Sequence, residues 1–145
     1  GEEKVRLERM GGMSAEEARV ERKGKRVDVY MLTIRTHFTP DIVNVAQGDT
    51  VYFHVTNLEQ DQDITHGFAI LFSNKNTQVD PGETKTIGWV AETAGVTPIY
   101  CTNFCSALHQ EMSGYIQVSP PGARIASIQR PDPKKLSEVV AVLKK

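Results

Sequence analysis

Two cysteines, one histidine and one methionine fall inside the thirteen residues Tyr100–Met112, at the spacing Cys101-x3-Cys105-x3-His109-x2-Met112. These two are the only cysteines of the chain. Thiolate, imidazole and thioether are soft or borderline donors, and together they select copper over magnesium, calcium or manganese. A trigonal Cys/His site with a long axial Met is the blue-copper pattern, which needs only one cysteine. Cys101 supplies a second thiolate one short loop before Cys105. Two facing thiolates can bridge a pair of copper ions, and each ion then needs an imidazole. His66 is the candidate for the second. It lies 35 residues before Cys101, in Asp63-Ile64-Thr65-His66-Gly67-Phe68, at the start of an apolar run.

Other chemistry fits parts of this pattern. Two cysteines four apart, taken alone, form a disulfide or half of a zinc site, and a small extracytoplasmic domain usually pairs its cysteines. Zinc has no use for Met112, although a methionine alone can simply fill a core.

The elements that must hold these donors are strands. From Val27 the hydrophobic period is two: Val27–Ile34, Ile42–Val45 and a run in which Val51, Phe53 and Val55 face one way while Tyr52, His54 and Thr56 face the other. His66–Phe72, Thr84–Ala91, a strand from Ile99 to Cys101, and Gly114–Val118 follow, separated by Gly and Pro turns at Gln47-Gly48-Asp49 and Asp80-Pro81-Gly82. Short strands at such spacing predict an all-β Greek-key sandwich, with the ligand loop joining its last two strands. His54 reads as a half-exposed strand residue and His37 as a loop residue.

The segment Thr65-His66-Gly67-Phe68, followed by Cys101-x3-Cys105-Ser106-Ala107-Leu108-His109-x-Glu111-Met112-x-Gly114, resembles the dinuclear copper A (CuA) domain of nitrous-oxide reductases. That domain is similar to the copper domain of cytochrome c oxidase subunit II. Val29-Tyr30-Met31 and His37-Phe38-Thr39-Pro40 resemble its beginning, and the likeness spans roughly residues 27–120. It implies a cupredoxin-like fold and a two-copper relay. Cys101 and Cys105 would bridge both ions, His66 and His109 would each terminate one, Met112 would bind one weakly, and the backbone carbonyl of Asn103 the other. It further implies an oxidoreductase of denitrification, active as the full enzyme and a relay in this domain. A soluble donor such as a cytochrome c or a small copper protein would feed it. The acceptor would be the catalytic copper-sulfide centre of a propeller domain, in a periplasmic homodimer. A copper domain from an oxidase or nitric-oxide reductase, a copper carrier, and a metal-free disulfide-stapled sandwich are the rival readings.

Composition narrows the alternatives. At 145 residues the chain is about one domain. A net charge of −1 with interspersed signs gives no general basic surface for nucleic acid, and no apolar run is long enough to span a membrane. No catalytic nucleophile with its base is visible. Residues 1–26 are charged and read as a linker, with Ser14-Ala15-Glu16-Glu17 capping a short helix to about Arg22. The opening Gly1-Glu2-Glu3-Lys4 has no signal-peptide character and suggests an excised or processed chain. Residues 121–145 form a tail. In it Asp132 and Pro133 can open a short helix, with Leu136, Val139, Val140 and Leu143 on one stripe. That stripe could pack against the sandwich, against a further domain or against a second subunit, and a subunit or domain contact is its expected use. Glu59, Asp61 and Asp63, just before His66, read as an acidic loop that could steer a basic donor.

Overall fold

The structure is a computed structural model, and it describes residues 18–34, 37–59, 65–102 and 113–131. These residues form eleven strands: β1 (Arg19–Lys23), β2 (Arg26–Ile34), β3 (His37–Thr39), β4 (Ile42–Ala46), β5 (Thr50–Asn57), β6 (His66–Ile70), β7 (Asn76–Val79), β8 (Thr84–Val90), β9 (Gly95–Tyr100), β10 (Ser113–Ser119) and β11 (Ile128–Gln129). One sheet runs β11-β1-β2-β5-β8, with β3 also paired to β2, and the second runs β4-β10-β9-β6-β7. The pairs β2–β5 and β4–β10 are parallel, so their connections must cross between sheets, as in a Greek-key sandwich. No helix occurs among the described residues.

Period-two alternation builds the core. In register across β2 and β5, Val27 pairs with Val51, Val29 with Phe53 and Met31 with Val55, all fully buried. The second sheet answers with Val43, Phe68, Ile70, Ile99 and Ile116. Phe68 is the hinge of the packing: its ring lies 5.2 Å from that of Phe53 and edge-on to Phe38 at 5.9 Å. Burying each such side chain contributes about 2–3 kcal/mol.

The N-terminal flank departs from expectation. Arg19–Lys23 is a strand, not the end of a helix reaching Arg22. Ala18 and Val20 alternate with Arg19 and Glu21, and both are buried when β1 pairs with β2. A short charged helix is marginal in water, so tertiary burial overrides its propensity. Arg22 closes the arrangement with an ion pair to the buried Asp49 of the β4–β5 turn. At the other flank β11 pairs with β1, and Gln129 bonds Asn44 of β4. His37, expected in a loop, opens strand β3, and the polar stretch before Asp80 holds strand β7. Their polar sequences, His37–Thr39 and Asn76–Val79, are strands only because β2 and β6 supply partners. The helices expected near Ser14 and after Asp132 lie outside the described residues, apart from the Arg19–Lys23 stretch.

Candidate metal centre

Strand register assembles one end of the sandwich. Antiparallel pairing of β6 and β9 sets Ala69 opposite Tyr100 and Ile70 opposite Ile99. The first residue of β6, His66, therefore lies beside the end of β9, where Cys101 follows Tyr100. Alternation aims both inward: His66, Phe68 and Ile70 share the core face of β6, and Cys101 continues the face of Ile99. His66 is fully buried and Cys101 is 5 % exposed. The two side chains are hydrogen-bonded to each other. Cys101 carries a thiol in this structure, not a disulfide.

Glu59 completes the cluster. Its carboxylate, 1 % exposed, lies with Oε1 3.1 Å from Nε2 of His66. The backbone holds it there, because the Glu59 N–H donates to Oδ1 of Asn57 (2.8 Å), whose Nδ2 donates to the Val79 carbonyl (2.8 Å). Thr65, next to His66, donates from Oγ1 to Asp80 (2.7 Å). Burial alone lowers the basicity of the imidazole, but its bonds to Cys101 and Glu59 outweigh that, and the His66 pKa is raised above the ordinary value. Glu59, expected in an acidic loop that could steer a basic donor, is instead a buried partner of His66. The signal that could have found it was its place two residues beyond the buried end of β5. Asp61 and Asp63 lie outside the described residues.

The loop that should bring the remaining donors leaves at Cys101 and returns at Ser113. Its base is clamped, since Ser113 is paired with Tyr100 and Gly114 with Ile99. Gly114 has no room for a side chain: a Cβ there would lie 2.5 Å from the Asp41 carbonyl oxygen, which accepts the Tyr115 N–H at 2.7 Å. The structure thus brings together His66 and Cys101 of the expected donors. Asn103, Cys105, His109 and Met112 lie outside the described residues. His54 takes no part: on the outer face of the first sheet it bonds Asp28 (2.8 Å) and Thr86 (2.9 Å) and stacks on Tyr30. His37 opens β3. No cluster of three or more metal-binding side chains occurs among the described residues.

Known proteins resemble this chain over about two thirds of its length. The nitrous-oxide reductase of Stutzerimonas stutzeri is 37 % identical over 102 residues, 70 % of this chain. That of Cupriavidus necator is 42 % identical over 96 residues, 66 % of the chain. This chain is a homologue of nitrous-oxide reductases. It spans only about a sixth of the length of these curated relatives, 16 % and 15 %. The homologue is also 33 % identical over 90 residues to cytochrome c oxidase subunit 2 of Thermus thermophilus, covering 62 % of this chain and 64 % of that protein. Among solved structures it superposes on a heme-copper terminal oxidase dimer with a TM-score of 0.61 at 25 % identity, covering 69 % of each chain. Auracyanin A, a blue copper protein of Chloroflexus aurantiacus, shares the fold, with a TM-score of 0.54 at 15 % identity over 65 % of this chain and 99 % of that one. The architecture is cupredoxin-like. No family model matches the chain.

Proposed function

We propose that this chain is a one-electron relay with a dinuclear copper centre, held by His66, Cys101, the Asn103 carbonyl, Cys105, His109 and Met112. The observation that carries the proposal is the meeting of His66 and Cys101, 35 residues apart in sequence, in one buried cluster at the end of the sandwich where the ligand loop begins. A buried thiol against a buried imidazole fits copper by donor chemistry, and the homology to nitrous-oxide reductases and to cytochrome c oxidase subunit 2 supports the same reading.

Each residue then has a task. Glu59, bonded to Nε2, fixes the ring plane and leaves Nδ1 as the nitrogen for a metal. Cys101 sits where β9 ends, so its position is set by sheet register and not by the loop. The surrounding Phe68, Ile70 and Ile99 keep water from the cluster. Copper bound there would cycle by one electron, and sharing that charge between two ions lessens the geometric change on transfer. By analogy with its relatives the domain would take electrons from a soluble donor outside the cytoplasm, and deliver them to a catalytic centre on another domain. An oxidase subunit is the second reading, favoured by the match to subunit 2. The segments Thr65-His66-Gly67-Phe68 and Ser106-Ala107-Leu108-His109 favour the reductase. No helix among the described residues is long and apolar enough to cross a membrane.

The test is electron paramagnetic resonance of the copper-loaded, oxidised chain together with copper analysis. Two coppers per chain and hyperfine splitting from two equivalent nuclei are expected. One copper with a four-line pattern would refute the two-ion centre.

A further inference from the structure

Asn57 stands where the two sheets meet at the metal end of the sandwich. It is the last residue of β5, in the first sheet, and it is fully buried. A buried carboxamide must place both its donor and its acceptor, and Asn57 directs them to different elements. Nδ2 donates to the carbonyl of Val79 (2.8 Å), the last residue of β7, in the second sheet. Oδ1 accepts the N–H of Glu59 (2.8 Å). The backbone beneath this side chain is anchored as well. The Asn57 N–H donates to the Glu83 carbonyl (3.0 Å), and the Asn57 carbonyl accepts from Gly82 (2.9 Å). Glu83 closes that turn upon itself, its N–H bonded to the Asp80 carbonyl (2.9 Å) and its carboxylate accepting from the Asp80 N–H (2.8 Å).

The residue opposite Val79 across β6 and β7 is His66. His66 is therefore held twice through the same carboxamide. Its backbone is paired with Val79, whose carbonyl Asn57 holds, and its imidazole bonds Glu59 (3.1 Å), whose N–H Asn57 also holds. The contacts close a circuit. It runs from the imidazole to Glu59, from Glu59 to the carboxamide, from there to Val79, and back to the strand that carries the imidazole. One position further out, Thr65 donates to Asp80 (2.7 Å) and adds a second tie between the same two segments. Glu59 alone would fix the imidazole only relative to Glu59. The carboxamide fixes Glu59 relative to β6 and β7, and so relates the imidazole to its own backbone.

We infer that Asn57 is a positioning residue for the candidate centre: by holding Val79 and Glu59 at once, its carboxamide sets the plane of the His66 imidazole against the strand from which it projects. The consequence for copper rests on reading His66 as a ligand, whereas the restraint itself belongs to the metal-free chain. Asn57 also joins the two sheets, so the placement of this donor depends on how the sheets are spaced at this end.

The test follows the whole metal-free chain by nitrogen–proton NMR at fixed pH, reading how fast the His66 Nε2 proton and the Asn57 Nδ2 protons exchange with water. In the parent the two groups should exchange together, because one opening frees both. Asn57→Ala should speed the His66 proton by about tenfold. Thr56→Val removes the Thr56–Thr84 hydroxyl bond (2.7 Å) one residue earlier on β5, and should lower stability yet leave the His66 proton unchanged. Should Asn57→Ala not fold, Asn57→Asp keeps the acceptor for Glu59 and loses the donor to Val79, and the comparison within the parent needs no variant. Copper competition against a chelator is read on the same proteins, with binding about 10–100-fold weaker expected in Asn57→Ala. A freed imidazole with unchanged copper affinity would uphold the positioning role and strike His66 from the copper ligands. Independent exchange of the two groups in the parent would overturn the inference. So would a His66 proton that exchanges no faster in Asn57→Ala than in Thr56→Val.

Discussion

Replacing Glu59 by Ala tests the least expected member of the candidate centre. Glu59 is 1 % exposed and accepts from a fully buried imidazole at 3.1 Å. Its loss leaves the Nε2 N–H of His66 buried beside a cavity, without that acceptor. Stranding a buried donor costs about 1–3 kcal/mol. For a chain of this size that is a fall in Tm of about 3–10 °C in the metal-free protein. The same change releases the ring from its fixed plane, and removing the partner of a ligating histidine typically weakens metal binding 10–100-fold. Glu59→Gln, which keeps an acceptor oxygen of nearly the same shape, should recover most of the stability. Thermal unfolding of the three metal-free proteins measures the first effect. Competition for copper against a chelator measures the second. If Glu59→Ala matches the parent in both, the buried Glu59–His66 bond neither supports the fold nor positions the ring, and the reasoning fails.

The other predictions concern the frame and the loop. Cys101→Ser should abolish the two-copper spectrum, whereas Asn103→Ala should keep it, because only a backbone carbonyl is assigned there; visible spectra of the loaded variants check both. Gly114→Ala should destabilise the fold by about 1–3 kcal/mol in urea unfolding, since the new Cβ meets the Asp41 carbonyl and breaks the start of β10. Asp28 is pushed up by partial burial, but its bonds from Arg26 and His54 prevail and hold its pKa below the ordinary value. A depressed carboxylate stabilises the fold above its unfolded pKa, about pH 4, and loses that contribution as pH falls through the folded value. The Tm difference between the parent and Asp28→Asn should therefore shrink on acidification below pH 4; a gap that widens would contradict this.

Strands that carry their own hydrophobic alternation were legible in the sequence. Val27–Ile34, Ile42–Val45, the run through Val51, Phe53 and Val55, and Gly114–Val118 all stand within a residue or two of their expected bounds, because period two together with one dry face determines both strand and orientation. The candidate donors can be named from sequence for a similar reason: thiols are rare in this chain, and their spacing with His109 and Met112 suggests soft-metal chemistry before any fold is known, although of the set only His66 and Cys101 fall among the described residues.

Tertiary structure decided everything that depends on a partner far along the chain. Arg19–Lys23 becomes a strand because β2 and β11 flank it, and Asn76–Val79 because β6 lies beside it; neither has a local pattern strong enough to choose. Glu59 looks like its acidic neighbours in sequence, and only the bonds through Asn57 turn it inward onto His66. The proximity of His66 to Cys101 belongs to the same class. It arises from the β6–β9 register, a property of two strands thirty residues apart, and register is settled by which faces bury together across the whole sandwich.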